Sequence, residues 1–158
     1  MPSNEQLQKI WLLSDTLLYK EAVNFIRKLV NEQHIEPLPA SQVSGLLSIA
    51  DSFKYNELYT FIVHQRDRDW PPKKRNIKTF YTALEQVLTK MKVERLNSEF
   101  HLLGDTRKLN ATQIRNEADA IMALLAREFI QHIMAENGVL AATRNDEWAK
   151  QRYGRRQA

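Results

Sequence analysis

The chain has 158 residues, no cysteine and a net charge of +4. That length fits one domain, or two very small ones, and lets a chain bury roughly 68–70% of its unfolded surface without covalent staples. The missing thiols exclude disulfides and thiolate metal sites and fit a reducing cytoplasm.

No apolar run approaches the ~20 residues that span a bilayer. The first residues, Met1-Pro2-Ser3-Asn4-Glu5, lack the basic-then-apolar order of a signal peptide. Glycine is scarce, and Val, Ile and Thr do not alternate with period two, so sheets are not expected. The expectation is an all-α, compact helical bundle of about five or six helices. One helical domain spans 1–139, and a basic C-terminal tail or weak helix spans 140–158.

In chain order, Leu7, Ile10 and Trp11 mark a short first helix, and Ser14 or Asp15 is placed to cap the next. Leu18, Ala22, Phe25, Ile26 and Leu29 recur at threes and fours, an amphipathic stripe that should end near Gln33 or His34 because Pro37 and Pro39 follow. A helix from about Ser41 to Phe53 comes next, then a polar turn. A further helix carries Leu58, Phe61, Ile62 and Gln65 toward Trp70. Trp70-Pro71-Pro72-Lys73-Lys74-Arg75 is the strongest break, since two prolines do not sit inside a helix and three adjacent cations repel. Asn76 is placed to cap the most regular stripe, Ile77, Phe80, Tyr81, Leu84, Val87, Leu88 and Met91, which can continue to Phe100 or Leu103 before Gly104-Asp105. A last long helix is predicted from Thr112 to about Asn137, with Gly138 as the residue just past its end.

Two of these helices open on nearly the same phrase. Leu38-Pro39-Ala40-Ser41-Gln42-Val43 is echoed by Leu109-Asn110-Ala111-Thr112-Gln113-Ile114. Ser41 and Thr112 then take the N-cap position, where a side-chain oxygen accepts an otherwise unpaired backbone N–H.

Charge is unevenly spread. Arg66, Arg68, Lys73, Lys74, Arg75 and Lys78 oppose only Asp67 and Asp69, a local net charge of +4 over 64–78. Arg144, Lys150, Arg152, Arg155 and Arg156 oppose Asp146 and Glu147, a net charge of +3 over 144–158. Two basic segments on a slightly acidic body suit a polyanion partner. Tyr59, Trp70 and Tyr81 interleave with the first segment. Cations release counterions from phosphates and aromatic rings offer stacking platforms, although Phe61, Phe80 and Tyr81 also fit the core stripes. Trp70, beside the prolines, is the aromatic placed for exposure, or else for anchoring the loop.

Catalytic motifs find no support. His34, His64, His101 and His132 are scattered, without a zinc-binding i, i+4 pair, so no metal or other cofactor is expected. No glycine-rich phosphate loop and no nucleophile elbow occurs. Asp67 and Asp69 stand two apart, which puts them about 200° apart on a helix rather than on one metal-binding face. Surface ion pairing suits them better. The Asn110-Ala111-Thr112 sequon is discounted with no secretory route in view.

The Ala-Ser/Thr-Gln-Val/Ile helix start resembles that of the small, all-helical subunit of type III CRISPR effector complexes. The residues that carry the resemblance are Ala111-Thr112-Gln113-Ile114-Arg115-Asn116, Ser41-Gln42-Val43-Ser44-Gly45-Leu46-Leu47, and Phe61-Ile62 followed by Gln65, Arg66 and Arg68. It covers about two thirds of the chain. It implies a non-catalytic cytoplasmic protein in antiviral defence, whose copies stack along a ribonucleoprotein filament beside other effector subunits. There they contact single-stranded RNA or the guide–target duplex backbone without reading sequence. The nucleic-acid contacts it implies are Arg66 and Arg68; Lys73, Lys74, Arg75 and Lys78 join them on charge alone. The alternatives are a DNA-binding regulator, with Thr112-Gln113-Ile114-Arg115-Asn116 opening a recognition helix, and a helical adaptor that binds only protein.

Overall fold

The computed structural model describes the backbone of residues 2–157 and, apart from residues 106, 153 and 155–157, their side chains. Six α-helices follow in order: α1 (Asn4–Leu13), α2 (Tyr19–Arg27), α3 (Ala40–Ala50), α4 (Tyr55–Asp67), α5 (Arg75–Lys90) and α6 (Ala111–Gln157). No strand occurs among the described residues, so the all-α expectation holds. No described helix is long and apolar enough to cross a membrane.

The first break placed by sequence is absent. Ser14 and Asp15 cap nothing; they open a π turn, Ser14–Leu18, that joins α1 to α2 with helical backbone throughout. A second π turn, Lys28–Glu32, extends the same rod. Ile10, Ser14, Leu18, Ala22 and Ile26 are buried and stand four apart. A spacing of four in a 3.6-residue helix rotates the stripe by about 40° per step. The wider π turn takes up that drift and keeps the stripe facing the core.

The near-repeat is in structural register, but the caps lie two residues earlier than expected. Pro39 and Asn110 precede the first helical residues Ala40 and Ala111, so Ser41 and Thr112 sit inside the first turn. In the second copy Asn110 and Gln113 satisfy each other's backbone N–H, at 2.8 and 3.0 Å. In the first copy Pro39 has no N–H to offer. Gln42 turns instead to the core and accepts the Tyr81 hydroxyl at 3.1 Å.

Helix α5 starts at Arg75, one residue before the cap assigned to Asn76, and its Ile77, Phe80, Tyr81, Leu84 and Leu88 stripe is buried as the periodicity requires. A π turn, Met91–Arg95, prolongs it before the chain turns at Phe100 and His101. The central strut is α6. Ile121, Met122, Leu125, Phe129, Ile130 and Ile133 are buried against α2, α3 and α4. Gly138 does not end it: the helix runs unbroken to Gln157, and no described glycine has a positive φ. Left-handed conformations fall instead on His34, Phe53 and His101, with φ of 55°, 58° and 52°. At His34 and His101 the turn closes as a helix C-cap does, through Ile35 N–H to Leu29 O and Leu102 N–H to Leu96 O, both 3.1 Å.

Candidate nucleic-acid interface

The break after α4 is built by Trp70. Its ring is buried, 9% exposed, and its Nε1–H donates to the Gln65 carbonyl at 2.7 Å, satisfying the end of α4. Exposure of Trp70 is therefore corrected: the ring anchors the loop and is not a free stacking platform. Arg68 lies over its outer face at 4.8 Å. Pro71 leads into a short 3-10 turn, Pro72–Lys74, which runs into α5. Proline at the first position loses no helical hydrogen bond, so the turn and the start of α5 form without cost there.

The six cations separate into two groups. Arg66 is half-buried, with 29% of its side chain exposed. It donates to both Asp67 oxygens, at 2.9 and 3.2 Å, and lies 3.6 Å from Glu85. Glu85 also accepts the hydroxyls of Tyr59 and Thr89, both at 2.9 Å. The Asp67 hydrogen bonds raise the Arg66 pKa, and Arg66 in turn holds the Asp67 carboxyl below its ordinary range. Arg66 is thus engaged within the α4–α5 seam, not a free cation as its sequence position suggested. Tyr59 is drawn into the same network, and Tyr81 is fully buried. Arg68, Lys73, Lys74, Arg75 and Lys78 are exposed, and among the described residues none forms an ion pair with a carboxylate. Lys78 Nζ donates to the Arg66 carbonyl at 3.0 Å, tying the patch to the end of α4. The start of α5 carries no side-chain cap, and its dipole adds positive potential where these cations gather.

The second basic segment is not a separate tail in space. It continues α6 past the bundle as an arm, 141–157. Glu36, in the loop before α3, joins the two segments. Its carbonyl accepts from Asn76 Nδ2 at 3.3 Å, and its carboxylate stands 3.9 Å from Arg144. Beside it, Asn137 is 2% exposed and clamps the Leu38 peptide, accepting its N–H at 2.8 Å and donating to its C=O at 3.2 Å. The loop is thereby fixed against α6, and the arm emerges next to the α5 start. Sequence reading placed both basic segments but had no means of joining them. The clamp is a buried Asn on a helix expected to end there. The side chains of Arg155 and Arg156 lie outside the described residues.

Elsewhere, polar side chains pair with one another. Ser14, His132 and Glu128 meet, with Ser14 Oγ donating to Glu128 at 3.1 Å and lying 2.9 Å from His132 Nε2. Ser14 is buried, and the hydroxyl sits between the other two, unlike the nucleophile–base–orienter order of a hydrolase. A cavity of about 470 Å³ has Phe25, Val87 and Phe129 on its apolar side and Glu21, Lys90, Glu94, Arg95 and Glu99 on its charged side. Arg95 is already bidentate to Glu21, at 2.7 and 2.9 Å, and bonded to Glu99 at 2.6 Å. Thr112, Gln113, Arg115 and Asn116 are exposed, but they open a 47-residue helix preceded by a 3-10 turn. The compact second helix of a helix-turn-helix pair is a different arrangement. No family model matches the chain, and no curated protein or solved structure shows a significant match to it.

Proposed function

We propose that this protein is a non-catalytic nucleic-acid-binding subunit that grips the phosphate backbone without reading sequence. Its role is that of the small subunit of a type III CRISPR ribonucleoprotein, stacked with its own copies and other subunits along the guide–target strand. The observation that carries the binding reading is the exposed group Lys73, Lys74, Arg75 and Lys78 at the positive end of α5, with Arg68 beside it and no carboxylate paired to any of them among the described residues. Cations with a structural role are normally paired, as Arg66 and Arg95 are here. An unpaired cluster raises self-repulsion, which a polyanion relieves. The effector-complex role rests on the sequence resemblance.

Fluorescence anisotropy with a labelled single strand across a salt series tests the binding. The slope of log K against log salt should be about −0.7 per phosphate contacted. Lys73→Ala with Lys74→Ala should weaken all sequences alike and flatten that slope. A flat salt response, or a strong preference for one sequence, overturns the reading. Co-purification with repeat-derived RNA and large effector subunits from a host carrying the neighbouring genes tests the complex.

A further inference from the structure

We propose that the protein holds a slot for a single nucleobase between the α6 arm and the loop before α3, so that its strand partner is unpaired nucleic acid. This deepens the binding reading above and rests on it.

The slot is a groove of about 460 Å³, within the roughly 300–1,000 Å³ span of small-molecule sites. One wall is the loop, with Pro37 and Pro39 and, at its edge, Glu36, whose carboxylate faces Arg144. The other is the arm, with Ala141, Arg144 and Trp148. Trp148 is 60% exposed, an indole on a helix that has already left the core. Much of its apolar surface stays in contact with water, at a cost that a stacked partner would relieve. Arg152 lies 4.7 Å over one face of the ring and puts a cation beside it, leaving the other face for a base. Asn145, also at the slot, offers an amide to a base edge, a group that serves any base because it both donates and accepts. The first turn of α3 opens at the same groove with no side-chain cap, so its dipole favours an anion there.

Charge and aromatic surface thus occur together, the pairing by which proteins hold single strands: cations track the backbone while a ring stacks a base. A duplex buries its base faces in its own stack and cannot enter such a slot. The Glu36 contacts to Asn76 and Arg144 make the slot continuous with the α5 patch. A strand leaving the slot would meet the start of α5, where Lys74 and Arg75 precede Asn76.

The test uses the full chain with oligo(U) and oligo(dT) single strands and a duplex of equal length. Trp148→Ala should weaken single-strand binding roughly five- to hundredfold, the effect of removing one stacked base, and leave duplex binding unchanged. Trp148→Phe should restore part of the loss, whereas Trp148→Leu, which returns bulk without an aromatic face, should not. In a Trp11→Phe background, single strands should quench the remaining emission, and Trp148→Phe should remove the quenching. Single-strand affinity indifferent to Trp148, or equal losses for strand and duplex, overturns the slot while the backbone-binding reading stands. Absence of any salt-sensitive binding by the unaltered protein overturns both.

Discussion

One helix serves two opposite purposes along its length. Over 121–134 α6 is the most deeply buried segment of the molecule, with Phe129, Ile130 and Ile133 at its centre. From Ala142 to Arg152 every residue is exposed. Nothing in the backbone marks the change. The difference lies in what surrounds each half. The first half is enclosed by α2, α3 and α4, whereas the second outruns them, because a 47-residue helix is about 70 Å long. Burial belongs to the neighbours and not to the helix, so stability and binding should separate along α6.

The largest expected break is in the enclosed half. Phe129→Ala should cost about 3–5 kcal/mol, because it empties a site packed against Phe25 with ring centroids 6.0 Å apart. Chemical denaturation measures it, and a loss below about 1 kcal/mol would show the core to be elsewhere. Asn137→Ala comes next. It leaves the Leu38 N–H and C=O without partners in a buried place, at about 1–3 kcal/mol for each unpaired group. It should also loosen the loop that joins the two basic segments, visible as faster amide exchange at Leu38.

Glycine substitutions sharpen the comparison at the junction between the halves. Gly138 is in mid-helix, and an added Cβ there would meet nothing within 4 Å. Gly138→Ala should therefore stabilise by about 1 kcal/mol. Were Gly138 the left-handed residue past a helix end, the same change would destabilise by a similar amount. The converse change, His34→Gly, should also stabilise by about 1 kcal/mol, since His34 does hold a left-handed backbone. Thermal melts of the two variants decide both signs.

The smallest effect concerns pH. The carboxyls of Asp67 and Glu99 are held below their ordinary ranges by hydrogen bonds from Arg66 and Arg95. A depressed folded-state pKa stabilises above the unfolded value and is lost as pH falls through the folded one. Melting temperature should thus be flat with respect to these groups near neutrality and drop only below the usual carboxylate range. Both groups are on the surface, so the drop should be slight. Asp67→Asn should make the melting temperature less sensitive to acid. A rise in stability on acidification would contradict the ion pairing.

Helical class, the buried stripe of α5 and the break at Pro71-Pro72 follow from sequence alone, because periodicity and proline act over a few residues and need no partner. The same holds for the two basic segments, since charge is counted without coordinates. The caps were misplaced by two residues because Ser41 and Thr112 are better caps by type than Pro39, and chain register decided otherwise. The rod over 4–32 read as two helices because a π turn leaves no signal in residue type. Its benefit is a corrected phase against the core, which exists only once the core does. Gly138 read as a stop because glycine usually is one, yet nothing on either side required a turn there. Which cations are free was also beyond sequence. Arg66 and Arg75 are alike in type, but Glu85, from the next helix, reaches only the first. Tertiary structure alone decided that residues 73–78 and 144–152 share one end of the molecule. That juxtaposition runs through the Glu36 carbonyl and carboxylate and the Asn137 amide, whose partners lie 40 to about 100 residues away in the chain.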